Sequence, residues 1–193
     1  MLNFNILKQF SKYINSNFEL QSTFMKSKIE KRINVLTWLF IVGIILSGLT
    51  AFPIETELNL LRFLWQDGTF IANTFPALSS FLKHINIAIT ETNKNYPQIF
   101  YGTDWLAFAH IIIGSAFIGV LRNPARNIWV VEWAMIACIM VFPLAWICGP
   151  IREIPVYWRI IDCSFGVFGM IPLWYIRKLI LQLEEQEKTV TNL

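Results

Sequence analysis

His110, Asp162, Arg159 and Asp104 are the residues whose type and placement invite chemistry, because each stands in or beside a stretch that is otherwise almost wholly apolar. An ionisable side chain in such a stretch is costly and turns toward a partner or a polar cavity. Ala107, His110, Gly114, Phe117 and Leu121 recur at helical spacing and share one face, as do Arg159, Asp162, Gly166 and Gly169. The small residues on both faces suit close helix approach. A His110–Asp162 pair, with Arg159, Arg152 or Asp104 beside it, would form a proton relay or a polar pocket. Its ligand would be a quinone, a lipid or a proton-coupled substrate. A purely structural account competes with this. Asp162 follows Arg159 by three residues and can pair along its own helix. Asp104 stands where a carboxylate complements a helix dipole, and His110 can bond a carbonyl of a neighbouring helix.

Glu132 is placed differently, close in sequence to Arg122 and Arg126. An ion pair tying the inner ends of helices is the simpler expectation, and a proton-entry carboxylate is the sharper one. Among the three cysteines there is no Cys-x-x-Cys pair, so zinc-finger and thioredoxin-like chemistry have no support. Cys138 reads as a small apolar filler. Cys148 and Cys163 flank a short loop through Gly149-Pro150 and Pro155, close enough for a disulfide in an oxidising compartment. Asp162-Cys163-Ser164 suggests thiol chemistry only weakly, since a reactive thiolate needs an electropositive, partly exposed site. No resident metal or cofactor is expected. A single haem b would have to use His84 and His110, the only two histidines. P-loop, zinc-protease, nucleophile-elbow and dinucleotide motifs are absent, so no catalytic residue is assigned.

The elements that must position these residues follow from composition. Hydrophobic residues make up 55% of the 193 and charged residues 15%, against roughly 25% charged in soluble proteins. The net charge of +3 comes without a basic, aromatic-interleaved stripe, which argues against nucleic-acid binding. A bilayer core of about 30 Å takes about 20 apolar residues in a helix. Four segments qualify, at about 34–52, 104–121, 127–148 and 158–176, bounded by Pro53, Pro124, Gly149-Pro150 and Arg177-Lys178. The fold class expected is therefore an all-α integral membrane protein, a four-helix transmembrane bundle with an amphipathic helical outer loop. Its apolar first run is too long for a signal peptide and lacks a cleavage site, so it should be retained.

Lys26, Lys28, Lys31 and Arg32 precede the first span, Arg122 and Arg126 lie between the second and third, and Arg177, Lys178 and Lys188 follow the fourth. Positive charge marks the cytoplasmic side, so both termini are expected inside a bacterial inner membrane. Residues 1–33 read as a cytoplasmic segment, either an interfacial helix or a frayed tail, and 181–193 as a cytoplasmic tail. The outer loop, 53–103, should hold a short helix over 57–65, ended near Asp67-Gly68. A second helix opens at Pro76 and runs to about Thr90, before a turn at 93–97. Three functions remain open: a non-enzymatic accessory or scaffold component, the small-molecule site just described, and, last, a channel-like oligomer. The expected partners are the lipid bilayer and other membrane proteins or further copies of the chain.

Overall fold

The computed structural model describes the backbone of residues 4–191 and the side chains of Tyr13 and residues 24–189, and every regular element among them is helical. Helix α1 (Phe4–Leu49) leads into three short outer helices, α2 (Ile54–Trp65), α3 (Phe70–Thr74) and α4 (Pro76–Asn95). A 3-10 turn at Pro97–Phe100 opens α5 (Tyr101–Ala116), which passes into α6 (Ile118–Arg122); α7 (Ile128–Ile151) and α8 (Val156–Thr191) complete the chain. Four stretches are long and apolar enough to cross a membrane: Phe24–Leu49, Pro97–Arg122, Ile128–Ile151 and Val156–Thr189.

The four long stretches pack as two pairs, α1 with α5 and α7 with α8, and α8 also lies along α1. They converge at one end, where Ile33, Val120, Val131, Ile176 and Ile180 are wholly buried together. There α5 gives way to α6 at Phe117, a fully buried ring whose centroid lies 4.7 Å from that of Phe40. Away from this core the helix surfaces stay apolar and open, with Leu39 at 64% exposure and Phe168 at 69%.

Several boundaries differ from those read in the sequence, each for a physical reason. Helix α1 runs unbroken across the 33/34 boundary that divided a cytoplasmic segment from a span, because no Pro or Gly interrupts residues 4–42. Arg177-Lys178 ends the apolar segment but not the helix. Leu179, Ile180 and Leu183 beyond it are buried, and Lys26 Nζ lies 2.6 Å from Glu187, holding α8 to α1. In the outer loop the second helix reaches Asn95, and α3 is an addition the sequence reading did not anticipate. At five residues α3 shows no periodicity; its one signature is Thr69, whose hydroxyl accepts the Ala72 N–H at 3.2 Å.

Gly149-Pro150 likewise does not stop α7, which ends at Ile151. A proline one residue from a helix end removes a single hydrogen bond there. The stop is at Glu153, whose φ is 55°. Ile154 N–H donates to the Gly149 carbonyl at 2.9 Å and Glu153 N–H to the Pro150 carbonyl at 3.1 Å. This is the Schellman pairing, with a non-glycine residue in the left-handed position that glycine usually fills. A side chain there costs about 1 kcal/mol. Glu153→Gly should therefore raise stability by about that amount, read as a higher melting temperature in detergent micelles.

Candidate functional site

His110 lies on the face of α5 that meets α1. A Cβ on Gly48 would collide with the His110 side chain and sit 3.2 Å from the Ala107 carbonyl oxygen, so the two backbones meet at a point only glycine permits. One turn on, Gly114 lies against Ile45 in the same way. His110 Nδ1 is 2.8 Å from the Leu106 carbonyl oxygen. That contact makes Nδ1 the protonated nitrogen, bonded within its own helix rather than to a neighbouring one.

Asp162 lies half-buried on α8, which packs against α7 and α1 and forms no extended interface with α5. The structure thus places the two members of the expected pair on different helix interfaces. Arg159 turns away from both. Its aliphatic stem crosses Gly149, its guanidinium carbon lies 5.2 Å from the Trp146 ring centroid, and its Nε is buried without a hydrogen-bond partner. Among the described residues no ion pair joins Arg159 to Asp162. Asp104 occupies the first turn of α5, as a dipole-complementing carboxylate would. Arg152 caps the end of α7 and is exposed.

Helices α7 and α8 meet by the same device as α1 and α5. A Cβ on Gly166 would lie 2.5 Å from the Cys138 carbonyl oxygen, and one on Gly169 would lie 3.0 Å from Cys138 Sγ. Cys138 is therefore the filler of a two-glycine contact. Cys148 is exposed and Cys163 buried, and both are free thiols. His84 is an exposed residue of α4, so the two imidazoles on which a haem would depend sit on separate elements.

Near the buried core Glu132 pairs with Arg177 of α8, Oε1 to Nε at 2.8 Å, and among the described residues not with Arg122 or Arg126. Helical geometry decides this: Glu132 lies one turn into α7, level with Arg177, whereas Arg122 and Arg126 are exposed in and beside the α6–α7 turn. That turn is closed by Asn127, whose side-chain amide donates to the Gly119 and Asn123 carbonyls, both at 2.9 Å. At the other end Tyr157 O–H donates to the Ala77 carbonyl at 3.1 Å, and Phe81 packs 5.5 Å from Trp158. These aromatic residues clamp α4 onto the start of α8. Gly48, Trp146 and Arg177 are the participants that sequence reasoning did not assign. Matching residue depth along antiparallel helices would have found Arg177.

Two substitution sets test these contacts. Gly48→Ala should destabilise the α1–α5 pair by about 1–3 kcal/mol through overpacking, and His110→Gly in the same chain, which removes the Cβ that the new methyl group would meet, should recover part of that loss. Glu132→Ala should cost about 1 kcal/mol or less, and Glu132→Arg with Arg177→Glu should restore stability. Thermal melting of each variant and double variant supplies the comparison.

Compared with family models, with characterised proteins and with solved structures, the chain finds no match.

Proposed function

We propose that the chain is a multi-pass integral membrane protein, both termini cytoplasmic, which serves as a non-enzymatic accessory or scaffold component. One observation carries the functional part. Three of the polar residues set among apolar ones lie at helix–helix contacts: His110 against Gly48, Arg159 against Gly149 and Trp146, and Glu132 with Arg177.

Support for the membrane part comes from surface area and its character. The chain exposes 13890 Å², whereas a compact globular chain of 22.5 kDa would expose about 9,500 Å². The exposed surface includes many large apolar side chains along the long helices, among them Leu39, Ile147, Phe165 and Phe168, of the kind lipid covers. Aromatic residues stand in two belts, with Trp38, Trp129, Trp133 and Trp174 toward the core end and Trp105, Trp146 and Trp158 toward the other. The basic clusters at Lys26–Arg32, Arg122–Arg126 and Arg177-Lys178 all accompany the core end of their helices, which the positive-inside rule makes cytoplasmic.

The alternative, a small-molecule site in the outer half, is favoured by the unpartnered Nε of Arg159. It would require His110 to leave α1 for the face that Asp162 occupies.

Two measurements test the proposal. Alkaline phosphatase fused after Glu91 should be active, and the same enzyme fused at the C-terminus inactive; the reverse pattern contradicts the orientation. Photo-crosslinking in the native membrane should yield a discrete adduct with another membrane protein, and His110→Gln should leave that adduct in place. Loss of the adduct in a His110→Gln chain of normal membrane abundance would favour the small-molecule site.

A further inference from the structure

Helix α2 is apolar on two sides. Ile54, Leu58, Leu61 and Trp65 face into the cap formed with α3 and α4, and Trp65 is buried there, its carbonyl accepting the Ser79 hydroxyl. The open side, a quarter to a third of the circumference at helical spacing, carries Thr56, Leu60, Phe63 and Leu64, with Leu60 at 71% exposure. No charge interrupts that side. Glu55, Asn59 and Arg62 lie along the edge next to α4, where the Asn93 amide donates to Glu55 and the Asn86 amide to Asn59, and the half-buried Glu57 lies on the opposite edge beside Leu64. Phe70, at 78%, and Phe75, at 55%, extend the apolar surface to either end of α3. Lys83 and Asp67 pair with each other nearby. A cap surrounded by water would show the opposite pattern, with polar residues outward and an apolar face inward only.

The position of the cap names what covers this surface. Helix α2 starts five residues after α1 ends, and the exposed Phe52 lies between them. The cap returns to the bundle through the 3-10 turn into α5, beside the exposed Tyr101 and Trp105. It is therefore held level with the ends of apolar helices, where aromatic residues mark the boundary of a bilayer. Its own open face continues theirs.

From this we infer that α2 and α3 lie in the plane of the outer leaflet, with Leu60, Phe63, Leu64, Phe70 and Phe75 sunk into the boundary between headgroups and acyl chains. Helix α4, whose exposed side carries Ser80, His84 and Glu91 around a single large apolar residue, Ile87, then faces the aqueous phase. The inference rests on the membrane-spanning reading and deepens it: the outer loop is a built-in interfacial anchor committed to lipid.

The test uses the full chain in phospholipid nanodiscs, in a background of Cys138→Ala, Cys148→Ser and Cys163→Ala. An environment-sensitive fluorophore is attached at Phe63→Cys, Phe70→Cys, His84→Cys or, in mid-span, Phe168→Cys. Lipids carrying a doxyl quencher near the headgroup should quench positions 63 and 70 strongly, and more than lipids carrying it near the chain end. Iodide should quench both several-fold less than position 84. Iodide quenching at 63 and 70 equal to that at 84 overturns the inference. Shielding from iodide and from both lipids also overturns it, pointing to a second copy of the chain as the cover. Position 168 separates the two readings: if iodide reaches it, the spanning account fails instead. Hydroxyl-radical footprinting of the unsubstituted chain in the same nanodiscs decides the matter without the cysteine background. Phe70 and Phe75 should be protected as Phe168 is; free oxidation of both while Phe168 stays protected overturns the inference.

Discussion

Backbone-to-backbone approach at Gly48 and at Gly166 is the contact on which the bundle depends. On the proposed membrane-spanning reading the hydrophobic effect supplies no net attraction between helices, because acyl chains are as apolar as leucine. Association then rests on dispersion and on polar contacts, both of which fall away steeply with distance. Removing the side chain at Gly48 lets α5 settle onto α1, and removing it at Gly166 lets α8 settle onto the Cys138 carbonyl. Everything else is arranged around these two pairs. The buried core of Ile33, Val120, Val131 and Ile180 joins one pair to the other, and Glu132–Arg177 pins α7 to α8 just beside it.

The polar residues at depth take their meaning from that arrangement. His110 donates its Nδ1 proton to the Leu106 carbonyl within α5 and packs its side chain over Gly48 of α1, so its polarity is satisfied inside its own helix while its carbon atoms join two helices. Arg159 acts similarly, with Gly149 beneath its stem and Trp146 beneath its guanidinium. The cap follows the same economy of materials at the outer end. Its polar residues pair along one edge, and Tyr157 and Phe81 fasten it to α8.

How much of this was legible in the sequence depended on the range of the interaction. The four apolar stretches were visible because a membrane-length run of hydrophobic residues is a local property, and all four correspond to long helices. Helix ends were less legible. Glu153 in a left-handed conformation stops α7, and no composition rule singles out a glutamate for that role. Charges at Arg177-Lys178 marked the end of an apolar segment, yet tertiary burial of Leu183 carries the helix onward. The candidate site was the least legible. Helical spacing identified the faces of His110 and Asp162, but pairing the faces requires knowing which helix neighbours which. The small residue that receives His110 lies in the apolar part of α1, residues 34–49, where no ionisable residue draws attention to it.

The central claim is that His110 belongs to the α1–α5 contact and Asp162 to a different one. Disulfide mapping with paired cysteines, in a chain otherwise lacking them, tests this most directly. Under mild oxidation in the membrane, Ile45→Cys with Gly114→Cys should cross-link efficiently, since a Cβ at 114 lies 3.0 Å from the Ile45 side chain. His110→Cys with Asp162→Cys should remain reduced. Rapid cross-linking of 110 to 162, with 45 and 114 unlinked, would contradict the account and restore a polar site between α5 and α8.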